Sequence, residues 1–108
     1  MNKVMIIGNL TRDPELKEIG EKKSKVTLMT VATNRNYNKD WEKQQETEFH
    51  SVVAYGKLAE IIANHLKKWN KVFVEWRLRT RQWEDSDGNK KYKTEIVAEN
   101  VEFLSTKK

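Results

Sequence analysis

Apolar residues along this chain fall mostly in short alternating runs, the period of strands half buried in a thin core. Val4, Met5, Ile6 and Ile7 break the alternation by being apolar throughout. The first strand, Lys3 to Leu10, is therefore expected to be covered on both faces, by its own core and from outside by something such as a second subunit. Thr11-Arg12-Asp13-Pro14 has turn chemistry, and Glu15 to Lys25 reads as a charged connector with Gly20 and no steady period. A second strand runs from Lys25 to Thr33. Asn34 to Gln45 is polar and loop-like, and carries Tyr37 and Trp41. Glu46 to Tyr55 alternates again, placing Phe49, Ser51, Val53 and Tyr55 on one side.

The period then changes. Leu58, Ile61, Ile62 and Leu66 form one apolar stripe, which predicts a helix over Lys57 to Lys68. Lys67 and Lys68 fall in its last turn, complementing the helix dipole. Lys71 to Trp83 is a long strand, Asp85-Ser86-Asp87-Gly88-Asn89 is a hairpin turn, and Lys91 to Leu104 is a fifth strand. Three strands, a helix and a two-stranded hairpin suit an all-β, five-stranded Greek-key barrel of the OB type, with the helix between strands three and four.

Composition narrows the chemistry. The 108 residues allow one domain, and 21 Lys plus Arg against 16 Asp plus Glu give a net charge of +5. Without cysteine there is no disulfide framework, thiolate metal site or thiol nucleophile. The early apolar run is too short for a signal sequence or a membrane span. A cytoplasmic, basic, single-domain protein with an anionic partner and no membrane contact is expected.

Strand parity sharpens that expectation. In the fourth strand Val72, Val74, Trp76, Leu78 and Thr80 point one way, while Arg77, Arg79, Arg81 and Trp83 point the other. Successive guanidinium groups on one face repel unless an anion or an acid lies across them. A polyanion with flat bases satisfies the whole stripe: phosphates take the arginine forks and a base stacks on Trp83. The plainer alternative is a solvated face whose arginines pair with Glu48, Glu95 or Glu99 on neighbouring strands. Phe49 and Tyr55 lie about 20 Å apart on the third strand, so they could hold different bases along it; aromatic residues at this parity also suit a core. Tyr37 and Trp41, among Asn34, Arg35, Asn36 and Lys39, resemble a binding edge more than a core.

No catalytic motif stands against this reading. His50 and His65 lack HxxxH or HExxH spacing, and there is no phosphate-cradling GxGxxG or GxxxxGK[ST] and no GxSxG. Carboxylates are scattered among lysines, so no acid/base pair can be picked out. Neither a metal nor a cofactor is implied. An OB-fold nuclease or a protein-interaction OB module is the alternative.

Several longer segments resemble the bacterial single-stranded DNA-binding proteins. They are Ile7 to Glu15 (IGNLTRDPE), Ala32 to Arg35 (ATNR), Glu46 to His50 (ETEFH), Val52 to Glu60 (VVAYGKLAE), Val74 to Trp83 (VEWRLRTRQW) and Tyr92 to Ala98 (YKTEIVA). The resemblance covers nearly the whole chain, with residues 1–104 as the DNA-binding domain and 105–108 as a short polar end. It implies a non-catalytic OB fold assembled as a homotetramer, wrapped by single-stranded DNA and acting in replication, repair and recombination at the nucleoid. It further implies stacking by Tyr37, Phe49, Tyr55 and Trp83, phosphate contacts from Lys57, Lys67, Lys68, Arg79 and Arg81, and a subunit contact at His50.

Departures from the family pattern carry their own expectations. Tryptophan stands where the family usually has glycine at Trp41, Trp69 and Trp76. Drift rarely exchanges three glycines for tryptophan, so the pattern suggests deliberate substitution on a natural background. Trp41 and Trp69 are expected to act as added stacking platforms. At Trp69 a left-handed helix cap is expected, and at Trp76 a bulge or a subunit contact. The chain also ends at Lys108 without the family's acidic-tipped tail, so tail-mediated recruitment of replication or repair enzymes is not expected.

Overall fold

The computed structural model describes residues 1–105. Its elements are β1 (Val4–Leu10), β2 (Glu15–Ile19), β3 (Ser24–Lys39), β4 (Glu42–Tyr55), α1 (Gly56–His65), β5 (Lys71–Glu84) and β6 (Lys90–Ser105). The sheet order is β1-β5-β6-β4-β3-β2. β1 returns to pair with β3 through Asn9↔Ala32 and Leu10↔Val31, closing a ring of β1, β5, β6, β4 and β3. The pairing of β4 with β6 is parallel and the other pairings are antiparallel. This is the five-stranded OB barrel, with the helix between its third and fourth strands, and with β2 added beside β1 on the same edge of β3.

Alternation builds the core. Met29 and Val31, Val52 and Ala54, Val72 and Val74, and Ile96 and Ala98 point into the barrel and join Leu10, Ile62 and Leu66 in one cluster. Gly8 is required where β1 meets β3, because a Cβ there would lie 2.3 Å from the Ala32 carbonyl oxygen. The helix lies across β3, where the buried Thr27 hydroxyl donates to the Ala59 carbonyl at 2.6 Å.

The structure corrects four expectations. Glu15 to Lys25 is not wholly a connector, because Glu15–Ile19 pairs residue for residue with Leu28–Ser24. Every residue of β2 is exposed, so backbone pairing rather than burial holds it, and no apolar period marks it. Asn34 to Gln45 is likewise not a loop. β3 and β4 remain paired out to Lys39↔Glu42, forming a two-stranded arm that ends in the tight turn at Asp40 and Trp41. The helical stripe is rotated, with Ala59 buried and Ile61 37% exposed. Finally, the helix stops at His65, because Leu66 is extended. Buried Asn70 closes the following turn by accepting from the Lys67 amide at 2.8 Å, so Lys67 and Lys68 lie beyond the last helical turn.

The second hairpin forms as expected. Asp85 Oδ1 accepts from the Asp87 and Asn89 amides at 3.0 and 2.9 Å, and Gly88 takes φ +81°. Of the polar end expected at 105–108, residues 106–108 lie outside the described residues. No helix among the described residues is long and apolar enough to cross a membrane.

Candidate nucleic-acid interface

Strand alternation that fills the barrel with valine and isoleucine sends the intervening residues to its outer face. On β4 these are Phe49, Ser51, Val53 and Tyr55, and on β5 they are Arg77, Arg79, Arg81 and Trp83. β6 lies between the two, and its register sets Val97 opposite Arg77, Glu95 opposite Arg79, Lys93 opposite Arg81 and Lys91 opposite Trp83. Fold closure thus puts the third-strand aromatic residues and the arginine stripe on one surface. Two shallow grooves of about 240 and 70 Å³ run along it, sharing Leu28, Val53, Arg81 and Glu95. Tyr55 and Arg79 line the larger, Arg12 and Lys93 the smaller.

Charge on this surface is partly compensated. Glu95 Oε1 lies 2.7 Å from an Arg79 terminal nitrogen and 3.6 Å from Arg81 Nε. The acid-paired reading of the stripe therefore holds for Glu95. It does not hold for Glu48, which pairs with Thr33 in register and shares the inward parity of Val52. Arg79 also donates to the Tyr55 hydroxyl, and its Cζ sits 5.4 Å from the Tyr55 ring centroid. Hydrogen bonds to Glu95 and then to Tyr55 push the Arg79 guanidinium further above its ordinary pKa, so it stays charged at any usable pH. Arg81 stacks over Trp83 at 5.0 Å, and Arg77 over Trp76 at 4.7 Å. Each of these cations covers part of a ring while the ring remains substantially exposed.

The other sequence-named residues are dispersed. Tyr37 and Arg35 lie on the arm with a guanidinium-to-ring distance of 5.0 Å. Their parity matches Val31, so they occupy the face of the arm opposite Phe49. Trp41 is 101% exposed at the arm's tip, where Asp40 and Trp41 take φ +53° and +69°. Such a turn ordinarily favours Asp-Gly. Lys57 is exposed two residues after Tyr55, at the start of α1.

Trp69 does take a left-handed conformation, φ +78°, but in the loop after the helix rather than as its cap. Its indole is 63% exposed, with Lys68 Nζ 4.8 Å from the ring centroid. The Lys68 amide donates to Asp13 Oδ1 at 2.8 Å, tying this loop to the connector that carries Arg12. His50 is half buried and shares a 2.8 Å hydrogen bond with the Thr33 hydroxyl. Trp76 sits at the expected bulge, where the β5–β6 register shifts. It borders a hollow of about 580 Å³ with Met1, Asn2 and Lys3, which is how the barrel accommodates an indole at that position.

Reading the strands singly missed Arg12, Lys17, Lys91 and Lys93. The two β6 lysines were legible, since they alternate with Glu95 and hairpin pairing sets them across from Arg81 and Trp83. Arg12 and Lys17 reach the grooves only because the connector and β2 fold over the edge of β3. Among the described residues no three of His, Cys, Asp and Glu converge as a metal ion would require.

Comparison with known proteins supplies the context. Residues 1–104 match the model of the single-strand binding protein family. The chain is 41% identical over 108 residues to single-stranded DNA-binding protein 1 of Xylella fastidiosa, spanning 99% of this chain and 79% of that protein. It is 44% identical over 109 residues to single-stranded DNA-binding protein 1 of Chlorobaculum tepidum, spanning 99% of this chain and 67% of that protein. Its fold superposes on the Plasmodium falciparum SSB in complex with ssDNA with a TM-score of 0.85 and 28% identity, covering 97% and 96% of the two chains. An OB barrel with a basic, aromatic outer face and these relatives together establish that the chain belongs to the single-strand binding protein family, whose members bind and do not catalyse.

Proposed function

We propose that this chain binds and protects single-stranded DNA without regard to sequence, serving replication, repair and recombination in the cytoplasm at the nucleoid. The observation that carries this reading is the single outer face on which Tyr55, Arg79, Arg81 and Trp83 converge, flanked by Phe49 and Lys93. Rings take bases and arginine or lysine takes phosphates; every base offers a π-face, so identity matters little. Lys57, Lys67, Lys68, Arg35, Arg77 and Tyr37 extend the contact around the barrel and its arm. Binding should fall steadily with salt, each neutralised phosphate contributing about −0.7 to the log–log slope. Titrating labelled oligo-dT and a mixed-sequence strand across a salt series tests this. A flat salt response, or preference for duplex over single strands, would contradict it.

The same reading includes a homotetramer. Met5 and Ile7 are 60% and 54% exposed on β1, the strand whose sequence asked for outside cover. Among the described residues, no strand pairs with the second edge of Val4–Gly8. An open, apolar strand edge is a ready template for another copy, and His50 and Trp76 are the further candidate contacts. Light scattering at micromolar concentration should give a tetramer, and Met5→Lys combined with Ile7→Lys should give smaller species. A tetramer unaffected by both changes would place the assembly surface elsewhere.

A further inference from the structure

The candidate strand-binding face holds a buried carboxylate among its cations. Glu95 is only 4% exposed, although Arg79 stands across from it on β5 and Lys93 lies two residues before it on its own strand. A buried acid in a phosphate-binding surface opposes the field that attracts DNA, so its presence there calls for a return. The geometry suggests what that return is. One oxygen of Glu95 faces both Arg79 and Arg81, at 2.7 and 3.6 Å. Arg79 continues to the Tyr55 hydroxyl and ring, and Arg81 continues to the Trp83 ring. A single acceptor thereby tethers two arginines, and each arginine covers one aromatic platform.

We propose that Glu95 is a positioning residue for single-strand binding, fixing the two arginine-backed rings, Tyr55 and Trp83, at a set spacing before the strand arrives. This inference rests on the single-strand reading above. Rings and guanidinium groups free to rotate would have to be ordered at the moment of binding, and that cost would be subtracted from affinity. Arg79 Nε is buried and has no hydrogen-bond partner, so this guanidinium is held by the Glu95 and Tyr55 contacts rather than by satisfaction of all its donors.

Charge and position can be separated because charge predicts equal affinities for two variants that position predicts to differ. Glu95→Gln and Glu95→Ala remove the same single negative charge, but only Gln retains an acceptor able to reach Arg79. By attraction alone both variants should bind oligo-dT more tightly than the unsubstituted protein, and equally. On the positioning reading, Glu95→Ala should bind roughly tenfold more weakly than Glu95→Gln, the scale of a coupled side-chain network, with the same salt slope in both. Equal affinities, or tighter binding by Glu95→Ala, would overturn the proposal. Should Glu95→Ala fail to fold, Tyr55→Phe serves instead, because it keeps the exposed ring and removes only the hydroxyl that Arg79 holds. A loss of several-fold at unchanged salt slope is expected, and unchanged affinity would overturn the relay. If the unsubstituted protein does not bind oligo-dT at all, the single-strand reading itself fails and this inference fails with it.

Discussion

Replacing Trp83 with alanine is expected to weaken binding of a single-stranded oligonucleotide by roughly 1–3 kcal/mol, the scale of one stacked base. Trp83 lies on the second hairpin, opposite Lys91 in register and under the Arg81 guanidinium. Its substitution removes a base platform and also frees Arg81 from the ring that orders it. Both losses act on the bound state, and because the ring is half exposed its removal should cost the free protein little stability. The salt slope should stay nearly constant, since no cation is removed and the number of neutralised phosphates is unchanged. Trp83→Phe should recover much of the loss, because a smaller ring still stacks. Anisotropy titrations of the three proteins at several salt concentrations would measure this. An alanine variant that binds like the parent would remove Trp83 from the interface.

Replacing Trp69 with glycine is expected to stabilise the free protein while loosening its hold on DNA. The backbone at Trp69 is fixed by β1 on both sides. Its amide donates to the Leu10 carbonyl at 2.9 Å, and its own carbonyl accepts from Asn9 Nδ2 at 3.0 Å. The loop therefore cannot relax its φ of +78°, a conformation that costs a residue with a Cβ roughly 1–2 kcal/mol. Glycine escapes that cost but loses more freedom on folding, which leaves a net gain of about 1 kcal/mol. For a domain of this size such a gain raises the melting temperature by about 4–8 °C. The exposed indole beside Lys68 is placed to take a base whose phosphate the lysine holds. Its loss should release a bound oligonucleotide roughly tenfold faster, within the range of one lost stack. Thermal melts and a competitor chase measure the two effects separately. A variant that melts higher but releases DNA no faster would make Trp69 a tolerated strain rather than a platform. Trp41 offers a parallel case in an equally left-handed turn, but at the tip of a solvated arm.

Much of this was written in residue order. Alternation sorted the side chains of β4 and β5 into two faces each, because burial on one side of a strand selects every second side chain. It therefore marked Phe49 and Tyr55 as sharing a face, and Arg79, Arg81 and Trp83 as sharing another. It left open whether the Phe49 and Tyr55 face of β4 was the core, and the structure exposes both rings. The Asp85–Asn89 turn was legible because an aspartate and a glycine at fixed offsets have a local backbone function. The hindrance at Trp69 was legible for the same kind of reason, although its place as a cap was not.

What the strands could not reveal one at a time was set by closure of the barrel. β2 and the arm beyond Asn34 carry no apolar period, since they are held by hydrogen bonds along the backbone, and a side-chain pattern records burial rather than pairing. The same blindness turned Tyr37 from a loop residue into one on the far face of a hairpin from Phe49. The turn after α1 is closed by Asn70, five positions past the helix, whose side chain acts by accepting the Lys67 amide, a role no apolar period marks. Above all, the chain's sequence determined that it would have an aromatic face and an arginine face. Only the tertiary structure decided that β6, the hairpin partner of β5, would also lie against β4, bringing the two faces into one surface around Glu95. That juxtaposition depends on the parallel pairing of β4 with β6, strands separated in the chain by α1 and β5, and no local period encodes which strand lies next to which.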